Sequence, residues 1–332
     1  MPELIFNKAD GLNNSVFGKS QEPVMMMIER RAEAFEAKSA IKSLFKMAKS
    51  KNFAEKLTSM TSMEGFKPVG EGGEYPSDSM QESYAKVLEF ETWKDQFVIT
   101  RELVEDSKSL DLQQKPSAFV TGYYRAREKF AANLFGSGIK GSAASVGGKS
   151  FPVTGADGKA VFAMDHPSKT GGSAQSNRFA GAFSADNLYK LETKMQNFKD
   201  DNGNILALAP DTILIPNDWK LKKDVFNAIG ADTDPDTANN GFNYTFGRYR
   251  IIVWPYLNGY LGTDTQPWIL IDSDYNNQNG GAVWIDRVPL TVNSWVDRTN
   301  DNNIWNGRAR FNAGFNDWRF AAAAGIVGAT AL

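Results

Sequence analysis

The 332-residue sequence predicts an α+β fold in which one long helix separates an extended N-terminal part from a strand-rich C-terminal part. Between Pro116 and Gly136, apolar residues recur every three or four positions, and proline and glycine stand where a helix starts and stops. A short apolar strand, Thr212 to Ile215, lies between two further helical segments, and strand patterns dominate after a loop rich in Asp and Asn at residues 231–241. We therefore expect a layered α/β unit after the long helix.

Composition narrows the classes of function. The net charge is −2, so the sequence does not indicate a protein that is held on nucleic acid by bulk positive charge. The absence of cysteine excludes disulfides, thiolate zinc sites and a cysteine nucleophile. We expect neither a signal peptide nor a membrane-spanning helix, because no run approaches the roughly 20 apolar residues that cross a bilayer.

The N-terminal part is expected to contain an irregular arm and helices. Residues 1–20 have no regular pattern, whereas the segment from Pro23 to Met60 has helical spacing, with one apolar stripe formed by Ile41, Leu44, Phe45 and Ala48. Lysines at positions 42, 46, 49, 51 and 56 cover the opposite side. They could contact nucleic acid or a partner, but we favour a solvated face, because charge runs on helices usually face water.

A long extended run follows a loop rich in glycine and proline at residues 65–79. From Tyr84 to Thr100 apolar and polar residues alternate, as in a β-strand, and Glu89 and Glu91 share the polar face. An isolated hairpin is only marginally stable in water. We therefore expect this segment to project from the subunit and to lie on a neighbouring one.

The second half of the sequence predicts a helix, a strand, a helix and then several strands. Ser184 is a candidate N-cap for the first helix, and Asn217 is a candidate for the second, from Asp218 to Ile229. A short strand is expected at Val161–Met164. Later strands are expected at Tyr249–Trp254, Trp268–Ile271, Val283–Ile285 and Val288–Val296, and twice within Gly307–Gly325.

Two matches to catalytic or cofactor motifs lack the context that such motifs need. The segment from Gly136 to Gly141 matches the GxGxxG pattern of dinucleotide sites, but it follows a helix and is expected to open a loop. His166 is the only histidine, and no GxSxG nucleophile motif accompanies it. We interpret His166 as a turn residue before a proline.

Two acidic loops resemble the start of a calcium-binding loop. They run from Asp232 to Asp236 and from Asp272 to Asn276, and both lack the glycine at position six and the glutamate at position twelve. We interpret them as solvated turns, with weak calcium binding as the alternative. The sequence therefore predicts no catalytic, cofactor-binding or metal-binding residue.

The order of the segments resembles that of the major capsid protein of tailed double-stranded DNA bacteriophages, which has the Hong Kong 97 fold. Phe66 to Thr100 is similar to the extended E-loop of that family, and Pro116 to Gly136 is similar to its spine helix. Further similarities to this family lie at Ile99–Asp106, Thr212–Trp219, Asp297–Arg298 and Arg308–Phe311. The segments Asp165–Pro167 and Phe198–Gly203 most resemble capsid proteins of the Mu-like type.

The resemblance implies five regions of the chain. They are an N-terminal arm and helix at 1–63, an E-loop at 64–98, a peripheral (P) domain at 99–180 with its spine helix at 116–136, an axial (A) domain at 181–286, and return strands of the P domain at 287–332.

The resemblance also implies a structural function without enzymatic activity or cofactor. The protein would assemble with itself, as pentamers and hexamers, into the icosahedral shell of a tailed phage. The shell would enclose double-stranded DNA without specific binding, and a scaffolding protein and a portal would take part in assembly. The expected location is the virion, after assembly in the bacterial host cytoplasm, with no membrane partner.

Charge suggests which residues meet between subunits. Glu89 and Glu91 of the hairpin are candidates to contact Arg125, Arg127 and Lys129, which lie off the apolar stripe of the long helix. Two other functions remain open from the sequence. One is an encapsulin-like nanocompartment shell, and the other is a soluble hydrolase or ligand-binding domain that uses the Asp-rich loops and His166.

Overall fold

The structure is a computed structural model that describes residues 5–7, 26, 28–60, 68–71, 74–75, 77, 82–102, 109–230, 243, 245–262 and 266–332. In the first half of the chain the elements are β1 (Ile5–Asn7), α1 (residues 28–36), α2 (Ile41–Leu44), β2 (Lys46–Lys49), β3 (Ala54–Met60), β4 (Glu82–Glu89), β5 (Glu91–Ile99), α3 (Ser109–Lys140), β6 (Ala144–Val146) and β7 (Lys149–Phe151). In the second half they are α4 (Ala185–Gln196), β8 (Thr212–Pro216), α5 (Trp219–Gly230), β9 (Arg250–Trp254), a 3-10 turn (Pro255–Tyr260), β10 (Trp268–Ile271), α6 (Ser273–Asn279), β11 (Ala282–Val296), β12 (Asn303–Phe315) and β13 (Ala321–Ala324).

The main sheet has five strands in the order β1-β11-β12-β5, and β2 pairs in parallel with the first residues of β11. Strands β11 and β12 form a long antiparallel pair whose register shifts between Asp286 and Thr291. The smaller sheet has the order β13-β10-β8-β9, and every residue of β8 and β10 is buried. Helices α4 and α5 cover it through Leu188 and Val225, which join its apolar cluster.

Helix α3 forms the core that both sheets share. Its residues from Phe130 to Ile139 are buried on all sides. They belong to one apolar cluster with Phe311 of the main sheet and with Leu214 and Ile269 of the smaller sheet. The helix therefore connects the two sheets through side-chain packing along its second half.

The long helix extends further in both directions than the sequence predicts, and Pro116 lies inside it. Gly136 was expected to end the helix, yet a Cβ there would lie only 2.6 Å from Cβ of Tyr260, so glycine permits close packing of the 3-10 turn. Likewise, a Cβ on Gly138 would lie 2.5 Å from Cγ1 of Val161. The helix ends before Gly141, whose φ of 73° is left-handed. The GxGxxG match therefore lies within and at the end of a helix, and the loop expected after Gly136 is wrong.

The helical pattern expected up to Met60 is also wrong, because residues from Lys46 onward form strands β2 and β3. Strand β2 pairs with β11, and β3 pairs with β4. Most residues of these segments favour a helix, but by less than about 1 kcal/mol each, so pairing with distant strands overrode the local preference. Most of the expected arm and of the loop at 65–79 lies outside the described residues.

The extended run expected to project as one hairpin is divided between two sheets. Only β4 belongs to a hairpin, with β3, whereas β5 pairs with β12 over nine residues and forms an edge of the main sheet. Trp93 of β5 stacks on Phe311 with ring centroids 4.9 Å apart. The segment 91–98, assigned to the E-loop from the sequence, is thus part of the main sheet.

The C-terminal half follows the predicted order, with differences at the boundaries. Ser184 caps α4 as predicted, since its side chain accepts a hydrogen bond from the Asn187 N–H. Asp218, rather than Asn217, caps α5 by accepting from the Leu221 N–H at 2.8 Å. The two strands expected at 283–296 are one, β11. The strand expected at residues 161–164 is absent from the described chain, where single bridges flank this segment at Ala160 and His166.

The boundary expected at residue 286 does not separate the sheets. Strand β11 begins at Ala282 in the main sheet, and β13 pairs with β10 in the smaller sheet. The chain therefore crosses from one sheet to the other a last time after β12, so not all strands after residue 287 return to the main sheet.

We expect opposite effects from alanine at two glycines of α3. Gly136→Ala should lower the free energy of unfolding by about 1–3 kcal/mol, because the new methyl group overlaps Tyr260. Gly122→Ala should raise it by about 0.5–1 kcal/mol, because nothing lies within 4 Å and alanine favours helix. Urea unfolding of both variants checks this, and equal effects at the two positions would contradict the packing described for Gly136.

Candidate subunit-interaction surfaces

The structure separates the five residues that the sequence suggested for contacts between subunits. Arg125, Lys129 and Glu89 are exposed. Glu91 forms an ion pair with Lys149 of the same chain. Arg127 is largely buried, so its expected role at an exposed surface is wrong.

Arg127 lies among aromatic rings because α3 turns that side toward the main sheet. Its guanidinium carbon lies 4.8 Å from the ring centroid of Trp284 and 5.3 Å from that of Phe311. Nη2 forms an ion pair with Asp286 at 3.2 Å, and only 13% of the Arg127 side chain is exposed. Nη1 donates to the Tyr123 hydroxyl at 2.9 Å. A cation with an anion and three rings around it stabilises the packing of α3 on the sheet.

The β3–β4 hairpin is anchored to its own chain. Leu88 packs with Val283 and Ile285 at the base of the hairpin. At the other end of β4, the Ser83 hydroxyl donates to Asp201, and Lys169 Nζ donates to the Ser83 carbonyl at 2.8 Å. The described part of the hairpin thus has partners within the subunit, in contrast to the expectation that it lies only on a neighbour.

A buried network of charged groups holds in place Asp201, which accepts the hydrogen bond from Ser83 of the hairpin. Arg319 forms ion pairs with Asp201 at 2.9 Å and with Asp317 at 3.2 Å. The Tyr275 hydroxyl donates to Asp317 at 2.7 Å. The arginine therefore fixes the carboxylate that receives the hairpin, and this network links the hairpin to both sheets.

Lys86 points from β4 into the subunit and donates to the Thr154 carbonyl. Burial lowers the pKa of Lys86 to about 8, although the nearby Asp157 carboxylate opposes this shift. Lys94, the other hairpin lysine considered from the sequence, lies on β5 and is exposed.

His166, interpreted from the sequence as a turn residue before a proline, is a buried structural residue. It is 1% exposed and stacks on Trp318, with ring centroids 4.3 Å apart. Its Nδ1 lies 2.6 Å from Oδ2 of Asp157, and its Nε2 lies 3.1 Å from Oδ1 of Asn177. Both ring nitrogens are thus occupied by contacts that join three loops, and neither faces a serine or threonine hydroxyl.

The second acidic loop caps a helix. The Asp272 side chain accepts from the N–H groups of Tyr275 at 2.7 Å and Ala209 at 2.8 Å, so it is the N-cap of α6. Burial raises the pKa of Asp272, against the effect of these two hydrogen bonds. Residues 232–236, the first acidic loop, lie outside the described residues. The described residues include no group of three histidine or acidic side chains placed to hold a metal ion.

A basic cleft lies between α1, α3, β9 and β11, with a volume of about 980 Å³. Eight basic residues line it, against three acidic ones. The basic residues are Lys38, Lys42, Lys49, Lys51, Arg125, Arg127, Arg250 and Arg287, and the acidic ones are Glu36, Glu128 and Asp286. Nothing in the sequence places these residues together, because they come from segments up to 251 positions apart, from Glu36 to Arg287.

Among the helices of the described chain, none is long and apolar enough to cross a membrane.

Comparison with known families decides the class of this protein. The family described as "Phage capsid protein" matches residues 83–324, which is well over half of the chain. The chain belongs to the phage capsid protein family. It is therefore a structural protein of the virion, as predicted, and not an enzyme. The family match favours neither the nanocompartment nor the hydrolase alternative.

Solved capsid structures share the fold. The capsid of the cyanophage P-SCSP1u matches with a TM-score of 0.52 at 10% identity, over 89% of this chain and 88% of the other. The mature capsid of bacteriophage PhiM1 matches with a TM-score of 0.50 at 10% identity, over 85% and 84%. A chain from Mycobacterium phage Patience matches with a TM-score of 0.50 at 10% identity, over 97% and 90%. These likenesses confirm the predicted Hong Kong 97-type capsid fold.

A search of curated protein sequences gave no match. The resemblance to the Mu-like type stays a prediction from the sequence.

Replacing Arg127 should destabilise the folded protein, whereas replacing Arg125 should not. Arg127→Met should lower the free energy of unfolding by about 3 kcal/mol, because the Asp286 carboxylate loses its counter-charge in a largely buried place. Arg125→Met, on the exposed side of the same helix, should change it by less than about 0.5 kcal/mol. Adding Asp286→Asn to Arg127→Met should recover part of the loss. Urea unfolding measures all three, and a mild effect of Arg127→Met would argue against the described contacts.

The low pKa of Lys86 predicts a pH-dependent stability. Its folded pKa of about 8 lies below the ordinary value of 10.5. As the pH rises from about 8 to 10.5, Lys86 releases its proton in the folded protein, whereas the unfolded chain keeps it. The Lys86 contribution to the free energy of unfolding therefore rises, by roughly 3 kcal/mol in total.

The thermal midpoint of Lys86→Met measured from pH 7.5 to pH 10 checks this expectation. Relative to wild type, the variant should be most stable at the low end and should lose that advantage as the pH rises. Lys94→Met, an equal change on an exposed strand residue, is the matched control. A constant difference between Lys86→Met and wild type across the range would contradict the burial of the ammonium group.

Proposed function

We propose that this protein assembles with itself, as pentamers and hexamers, into the closed icosahedral shell of a tailed phage head. The observation that carries the proposal is the capsid family match, together with a fold shared over most of the chain with mature capsid subunits. Rings and shells need different surfaces of one subunit to meet repeatedly. The exposed hairpin and the open edges of both sheets offer such surfaces.

The strand pairing supports a revised division of the chain. The main sheet with α3 corresponds to the P domain, and the smaller sheet with α4 and α5 corresponds to the A domain. The E-loop corresponds to β3, β4 and the residues between them, and β5 is excluded from it. We keep Glu89, Arg125 and Lys129 as contacts between subunits, and we leave out Arg127 and Glu91, which have partners in their own chain.

Other partners are part of the same proposal. A scaffolding protein and a portal take part in assembly in the host cytoplasm, and the shell encloses DNA without specific binding. The net charge of −2 suits a wall that surrounds DNA and releases it.

Assembly of the purified protein tests this function. We expect size-exclusion chromatography and electron microscopy to show rings or closed shells. A monodisperse monomer under all assembly conditions would contradict the proposal.

A hairpin variant provides the matched comparison. Residues 61–81 are replaced by Asn-Gly, which joins β3 to β4 through a two-residue turn. The variant should keep the thermal midpoint of wild type within a few degrees, because the anchors at Ser83 and Leu88 remain. It should fail to form complete shells. Complete shells from this variant would remove the hairpin from the proposal.

A further inference from the structure

Five cations of the basic cleft have no acidic partner among the described residues: Lys38, Lys51, Arg125, Arg250 and Arg287. The three acidic side chains of the cleft are already engaged. Glu36 pairs with Lys42 at 2.8 Å, and Asp286 pairs with Arg127. Glu128 accepts from the Trp254 Nε1–H at 2.8 Å. The cleft thus holds an excess of positive charge that its own carboxylates do not neutralise.

Arg287 has a buried hydrogen-bond donor that lacks an acceptor. Its Nη1 is buried and has no hydrogen-bond partner within the described chain. An unsatisfied buried donor costs about 1–3 kcal/mol, more when the group is charged. A carboxylate that enters the cleft and approaches this guanidinium would remove that cost.

The wall formed by β9 fits a polypeptide rather than a nucleic acid. Strand β9 pairs only with β8 among the described strands, and all residues from Arg250 to Tyr256 line the cleft. Ile251, Ile252 and Val253 are half-buried on this edge. An open strand edge with apolar side chains offers backbone hydrogen bonds to another chain segment. A DNA duplex has no backbone amide groups that could continue a β-ladder.

The sequence contains an acidic stretch that matches this charge. Residues 64–82 contain five carboxylates and one lysine. The carboxylates are Glu64, Glu71, Glu74, Asp78 and Glu82. The stretch is carried at the end of β3 and β4 that is anchored at Asp201, whereas Lys51 of the cleft lies near the opposite end of the hairpin. Seven strand residues span about 23 Å, so the stretch starts far from the cleft of its own subunit.

We propose that the basic cleft receives the acidic stretch 64–82 of a second copy of this chain. This inference rests on the proposed function, because it names the receiving site for the hairpin of a neighbouring subunit. The carboxylates pair with Arg125, Arg250 and Lys51 at the rim and with Arg287 inside. The apolar edge of β9 supplies the remaining contact.

Binding of a peptide tests this site without relying on shell assembly. The probe is a fluorescein-labelled synthetic peptide of residues 64–82, and the receptor is the full chain in which Asn-Gly replaces residues 61–81, so that its cleft has no competing stretch. Fluorescence anisotropy should show binding that weakens as salt rises. A matched peptide with the five carboxylates changed to amides should bind at least tenfold more weakly.

Substitutions in the cleft test whether the peptide binds there. Arg250→Glu and Lys51→Glu change exposed side chains, and each should weaken peptide binding at least tenfold without lowering the thermal midpoint. Arg287→Gln should do the same, and if it fails to fold, the two exposed variants carry the test. Arg298→Glu, at an exposed turn outside the cleft, should bind the peptide as the unsubstituted receptor does.

Three results would overturn the proposal. They are equal binding of the acidic and amide peptides, full peptide affinity in the cleft variants, and preferential binding of a 20-residue DNA oligonucleotide that the same variants abolish. A wild-type protein that never assembles while the peptide binds in the cleft would contradict the proposed shell and still support the site.

Discussion

The burial of the second half of α3 between two sheets is the constraint on which the rest of the subunit depends. From Phe130 to Ile139 the helix is buried on every side, and its neighbours come from both sheets. Gly136 and Gly138 make this possible, because side chains there would overlap the 3-10 turn and the loop at Val161. One helix thus packs against both sheets and fixes their relative position, which suits a subunit that must keep its shape within a shell.

Buried polar and charged groups fix the loops and the hairpin around this core. Arg127 pairs with Asp286 at the face of the main sheet, Arg319 joins Asp201 to Asp317, and His166 contacts Asp157. Such groups are costly to bury unless they are paired, so each pair specifies one arrangement of the segments that carry it. The contacts of Arg319 and His166 also show that these acidic and histidine-containing loops, which could be mistaken for catalytic ones, have a structural role.

The surfaces that these contacts leave open are the ones that matter for a capsid protein. Five cations of the basic cleft have no acidic partner within the described part of the subunit, the outer edge of β9 pairs with no described strand, and the stretch 64–82 carries five carboxylates. In a shell, each subunit can complete its neighbour through such unpaired surfaces, and complementary charge sets their orientation and suppresses wrong contacts.

The sequence by itself determined the long helix, the order of most elements after it, the capsid resemblance and local features such as the Ser184 cap, because these depend on spacing and neighbouring residues. It could not place β2, β3 and β5, whose pairing with distant strands overrode weak local preferences. Nor could it show that Gly136 serves close packing, that Arg127 is buried, or that eight basic residues from distant segments line one cleft. Only the tertiary structure decided these points, because burial and charge balance arise from residues that the fold, and not the sequence, brings together.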